Sequence, residues 1–182
     1  MTPPLALARS PEDPATLAFA GVIEQSCQAQ RLPLIRGLSE EGFRRLIDAY
    51  FPGLDTRNGA ATALPCPAHI FAIDEFDDLV ELLTAHGATG SQEERWLAHA
   101  IATAAMGSNH LWQDMGLPNR RVLSQLLATH FPALAAKNTG DMKWKKFFYR
   151  QLCESAGVPI CKSPSCGECC DFRLCFGPED AA

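Results

Sequence analysis

Apolar positions along this chain recur at helical rather than strand spacing. Phe76, Leu79, Val80, Leu82 and Leu83 follow the acidic pair Asp74-Glu75, an opening that suits a helix N-terminus. Ser91-Gln92-Glu93-Glu94 reads as a capping box and opens an Ala-rich stretch predicted to run to about Trp112. Its small residues Ala98, Ala102, Ala105 and Ser108 would let a neighbouring helix approach closely. Ser10-Pro11-Glu12-Asp13 supplies a cap, a proline for the first helical position and acids for the first turn. From Met142 to Ser155 the pattern splits into two faces: Trp144, Phe147, Phe148 and Leu152 point inward, and Lys143, Lys146 and Arg150 point out, with Cys153 on the basic side. Strand signals are few. The pattern predicts an all-α protein.

A second regularity lies on top of the first. Phe51-Pro52-Gly53-Leu54 with Arg57-Asn58 matches Phe131-Pro132-Ala133-Leu134 with Lys137-Asn138 at an offset of eighty, and Leu17-Ala18 matches Leu97-Ala98 at the same offset. With small slips, Gly37-Leu38 pairs with Gly116-Leu117, and residues 80–87 pair with 150–157. This predicts two tandem helical units of about eighty residues, 10–90 and 91–158, within one globular body spanning 1–158. Each unit would have a long first helix, a second ending at Phe-Pro and a third ending at Gly. A cysteine-rich loop (159–177) and a short tail (178–182) follow the second unit and have no counterpart after the first, where only a linker, Gly87 to Gly90, stands.

Composition adds bounds. At 182 residues, 47% hydrophobic and 20% charged, the chain is long enough to bury a core and reads as soluble and globular. It contains no apolar run of eighteen residues for a membrane span, and its start offers no secretory signal, so eight cysteines imply a reducing, cytoplasmic setting. The net charge of −5 conceals an asymmetry: residues 1–119 sum to −8, residues 120–150 to +6 and residues 151–182 to −3. The positive block abuts the cysteine loop and would attract an oxyanion or an acidic protein surface. The acidic total and the lack of a nucleic-acid motif argue against a nucleic-acid partner.

The cysteines carry the chemistry. Cys161, Cys166, Cys169 and Cys175 stand in the frame x4, x2, x5, with Pro164 and Gly167 permitting a tight wrap. Sulfur donors suit soft and borderline metals, and the x4, x2 spacing is that of plant-type ferredoxins, although there the fourth cysteine is distant. An iron–sulfur cluster is the leading reading. A four-cysteine zinc site is the second, weakened because only one CxxC knuckle, Cys166 to Cys169, is present. Disulfides come third, disfavoured by compartment. Cys170 reads as a spare or exchange ligand, or else a half-buried thiol. Cys153 would sit near the loop mouth as a transient ligand, its thiolate favoured by neighbouring cations, or else as a plain surface cysteine. Cys27 and Cys66 read as structural thiols. His110 could place a nitrogen near the site but suits an interface or the core better. Lys143, Lys145, Lys146 and Arg150 form the candidate docking surface for an anion or partner. No nucleophile beside a base, and no motif of paired acids, points to an enzyme.

HLWQDMGL (110–117), FPALAAKN (131–138), MKWKKFFYRQLC (142–153) and the cysteine frame together resemble the NifQ family, in detail over the C-terminal half and loosely over the first hundred residues. The resemblance implies a carrier rather than a catalyst. Its four frame cysteines would bind an iron–sulfur cluster of 3Fe-4S type able to take up molybdenum. That molybdenum would go to iron–molybdenum cofactor assembly on the NifEN scaffold with NifH. The residues alone leave two other readings open: a zinc-stabilised adaptor whose basic helix docks an acidic partner, and an iron–sulfur redox carrier or sensor.

Overall fold

The computed structural model describes residues 3–55, 75–157 and 172–179. After a 3-10 turn at Pro4–Leu7 come α1 (Pro14–Gln28), α2 (Glu40–Tyr50), α3 (Phe76–Ala85), α4 (Gln92–Ala105), α5 (Leu111–Asp114), α6 (Arg120–His130), α7 (Pro132–Ala135), α8 (Trp144–Ser155) and α9 (Phe172–Phe176). Every regular element among the described residues is helical, which bears out the all-α expectation. None is long and apolar enough to cross a membrane.

The centre is built on α1 and α4. Both bury residues around most of their circumference, including Ala18, Phe19 and Ile23 on α1 and Leu97, Ala98, Ile101 and Ala102 on α4. Their alanines let the two helices pack along each other, while α3 covers α4 and α6 covers α1. α1 also meets the turn after α5 closely, at Gly21 and Gly116. Gly116 has φ +62, and a Cβ at Gly21 would lie 2.0 Å from the Met115 carbonyl oxygen. Helices from both halves of the sequence thus share a single apolar cluster among the described residues.

α2 and α6 are built alike. Each has eleven residues and a side-chain N-cap, Ser39 accepting from Gly42 N and Asn119 from Val122 N. Each ends at a fully buried phenylalanine with nearly the same backbone, Phe51 at φ −133, ψ 60 and Phe131 at φ −133, ψ 54. The Phe-Pro word therefore marks the same helix stop twice.

Three helix boundaries differ from the sequence expectation. α1 begins at Pro14 rather than Pro11, because the Asp13 carboxylate, not Ser10, accepts from Thr16 N at 2.9 Å. The Asp13 amide bonds to the Ser10 carbonyl, so the earlier Ser-Pro forms a turn. The Ala-rich helix stops at Ala105 instead of continuing to Trp112. Asp114 turns the chain there, accepting from Asn109 N at 3.0 Å and Asn109 Nδ2 at 2.9 Å. α8 starts at Trp144, two residues late, since Asn138 holds Met142 in a loop through bonds of 2.8 and 2.9 Å to its amide and carbonyl.

The Ser91 capping box is realised. Glu94 is buried and accepts from the amides of Thr89, Gly90 and Ser91 and from the Thr89 hydroxyl, while Ser91 Oγ accepts from Glu94 N. Burial works against its charge, but the hydrogen bonds outweigh it and hold the carboxyl below the usual carboxylate range.

Candidate metal centre

Of the predicted frame, Cys175 lies within the described residues; Cys161, Cys166 and Cys169 lie outside them, as do Cys170 and Cys66. Cys175 sits on α9 and is half-buried, packed with Phe176 against the core. Its carbonyl accepts from the amide of Lys143 at 2.8 Å, so α9 is tied to the residue that starts α8. Phe176 stacks on Phe172 with centroids 4.6 Å apart and lies over Gly140. Phe172 and Leu174 remain exposed on the outer side.

Cys153 is not where thiolate would be favoured. Burial first, and then the negative charge of Glu75, push its thiol above the ordinary cysteine value, which corrects the expectation of cation-assisted ionisation. It also lies ten residues beyond Lys143 along α8, a rise of about 15 Å, so Cys153 and Cys175 mark opposite ends of that helix. Among the described residues no three His, Cys, Asp or Glu converge on one point. Cys27 is half-buried, and burial and then Glu24 raise its pKa, consistent with a structural thiol.

The expected basic surface divides in two. Lys145 is an internal strut, with Nζ donating to the Gly107 carbonyl at 2.8 Å and to Asp114 Oδ2 at 2.5 Å. Its side chain is only 22% exposed, because position 145 looks across to the turn between α4 and α5. Arg150 pairs along its own helix with Glu154 at 2.7 Å. Neither presents an unengaged charge to a docking anion. Lys146 is exposed and Lys143 half-exposed; both are without an ion pair among the described residues.

His110 caps the short α5 at the surface rather than in the core, with Nδ1 3.9 Å from Glu179 Oε1. The same carboxylate oxygen lies 3.9 Å from Arg120 Nε. Sequence reasoning missed Arg120, Asp114 and Glu179. Arg120 was visible as part of the positive block, but its partners lie 21 residues away or more, beyond the reach of helical periodicity.

Fold and site together define a class: a small all-helical body with a cysteine-framed C-terminal segment whose last thiol-bearing turn returns to the start of α8. The family model described as NifQ matches residues 18–177, a span that takes in all four frame cysteines. Protein NifQ of Azotobacter vinelandii is 38% identical over 172 residues, covering 86% of this chain and 87% of that protein. Protein NifQ of Rhodobacter capsulatus is 38% identical over 157 residues, covering 85% and 84%. A NifQ homolog from Sinorhizobium fredii is 40% identical over 150 residues, covering 78% of this chain and 60% of that one. No solved structure matches the chain. The chain belongs to the NifQ family.

Proposed function

We propose that this protein is a molybdenum carrier, with Cys161, Cys166, Cys169 and Cys175 holding an iron–sulfur cluster that takes up molybdenum for iron–molybdenum cofactor assembly. The observation that carries this reading is that the family match extends through the complete x4, x2, x5 frame. Four thiolates supply the soft donors that iron and sulfide-bound molybdenum favour. Cys175 fits the role. Its backbone is fixed by the bond from Lys143, while its side chain stays half-buried at the surface of the body. A carrier needs a placed ligand that is not sealed in.

Molybdate would approach as a dianion. Lys143 and Lys146 raise its local concentration beside the segment that carries Cys175, an effect that salt screens. The protein does no turnover chemistry in this reading; it holds and hands over. NifEN is the proposed acceptor and NifH the accompanying partner, in the cytoplasm.

Transfer tests the proposal. Iron-loaded protein exposed to molybdate and reductant, then mixed with molybdenum-free NifEN and NifH, should pass molybdenum to NifEN. If NifEN gains molybdenum equally well from the same concentration of free molybdate, the donor role fails.

A further inference from the structure

The last described residues hold a feature that the cysteine frame does not account for. Glu179 lies two residues beyond the span matched by the family model. Its side chain is only 4% exposed. A carboxylate withdrawn from water needs positive partners, and two groups face it: Arg120 Nε and His110 Nδ1, each 3.9 Å from Oε1. Arg120 Nε is itself buried without a hydrogen-bond partner, so the guanidinium edge that meets Glu179 has no other occupant among the described residues.

The far side of that guanidinium holds the loop before α8. Arg120 Nη2 donates to the Asp141 carbonyl at 3.0 Å, to Asp141 Oδ1 at 2.8 Å and to the Met142 carbonyl at 3.0 Å. These groups form the turn that leads into Lys143, whose amide holds the Cys175 carbonyl. One arginine therefore grips the turn on one side of Cys175 and faces the tail carboxylate on the other. α9 is thereby held at Cys175 and, three residues past its end, at Glu179.

We propose that Arg120 and Glu179, flanked by His110, form a clasp that positions α9 and sets how readily Cys175 leaves the helical body. Arg120 is a positioning residue: it touches neither the thiol nor any cargo. Opening the clasp loosens the C-terminal end of α9, with the Lys143 bond and the packing of Cys175 and Phe176 against the core as the ties left among the described residues. The clasp itself does not depend on what the cysteines bind. Its use as a control on cargo release does rest on the carrier reading above.

The test uses the full-length, metal-free, reduced protein and reads each thiol separately. Alkylation by iodoacetamide is followed at Cys175, Cys27 and Cys153 by peptide mass spectrometry. Glu179→Gln keeps the shape of the side chain and removes the charge, and Glu179 lies three residues past α9, outside the helices. Cys175 should react roughly tenfold faster in this variant, with Cys27, Cys153 and the melting temperature unchanged. Glu179→Asp should restore part of the protection. Arg120→Lys should behave like Glu179→Gln, because an ammonium cannot span both anchors. A Cys175 rate within about twofold of the parent in Glu179→Gln would overturn the clasp, as would equal acceleration of all three thiols, which signals general loosening. In iron-loaded protein the same variant should shorten iron retention in the presence of a chelator. If Cys175 is released as expected while retention stays the same, the clasp stands and its link to cargo falls.

Discussion

The amide of Lys143 donates to the carbonyl of Cys175 across 2.8 Å, joining the N-cap residue of the basic helix to the last cysteine of the frame. Lys143 has φ −53, an angle proline adopts, so Lys143→Pro removes the donor without opposing the backbone. Losing one such bond costs about 1 kcal/mol, or roughly fivefold in an equilibrium. Lys143→Pro should lose iron to a chelator about fivefold faster than the parent. Lys143→Ala keeps the amide and should hold iron normally. Equal loss from both variants would mean that the side chain, not the backbone tie, matters.

Within the frame itself, Cys161→Ala, Cys166→Ala and Cys169→Ala should abolish iron retention, and Cys175→Ala should come close. Cys27→Ala and Cys66→Ala should retain it. Iron analysis of the six purified variants checks this pattern, and uniform losses would refute the assignment.

Lys145 and Lys146 are neighbours with different duties. Lys145→Ala leaves Asp114, the carboxylate that turns the chain between α4 and α5, without its strongest partner. That should cost about 2 kcal/mol in urea unfolding. Reversing the charges of Lys143 and Lys146 together should leave stability within about 0.5 kcal/mol of the parent but weaken molybdenum loading. A stable Lys145→Ala variant would remove the strut, and unchanged loading in the double reversal would make the exposed pair merely solvated.

Gly21 meets the Met115 carbonyl so closely that a Cβ would lie 2.0 Å from its oxygen. Gly21→Ala must force α1 and the α5 turn apart, at about 3 kcal/mol. A thermal melt reads this directly; a variant as stable as the parent would contradict the packing.

Acid stability depends on two groups with the same sign. Burial lowers the pKa of His99, whose Nδ1–H donates to the Arg36 carbonyl at 3.1 Å. The unfolded chain therefore takes up this proton first, and stability falls as pH drops below the ordinary histidine value of about 6.5. Glu94, held below its usual range by hydrogen bonds, acts in a lower window: its contribution is complete above about pH 4.3 and is lost as pH falls through the depressed folded value. Urea titrations across pH should show both declines. Glu94→Gln should flatten only the lower one, and His99→Gln only the upper.

Much of the scaffold was legible because it depends on near neighbours in sequence. The Ser91-Glu94 box, the buried Trp144, Phe147 and Phe148, and the Phe51 and Phe131 helix stops are all settled within one or two turns. What escaped depends on distant partners. Lys145 was expected on the docking surface, yet Asp114, 31 residues earlier, captures it. Cys153 shares a face with cations, but Glu75 and burial decide its protonation. Glu179 carries no motif, and only the fold brings it to Arg120. The cysteine spacing was legible as soft-metal chemistry, whereas its geometry at Cys161, Cys166 and Cys169 lies outside the described residues.

The most direct test is elemental analysis of oxygen-free protein for iron, sulfide, molybdenum and zinc, with an EPR spectrum of the same sample. A carrier should be brown, contain iron and sulfide with substoichiometric molybdenum, and give a cluster signal that changes when molybdate is added under reducing conditions. Colourless protein with one zinc per chain and no iron would contradict it.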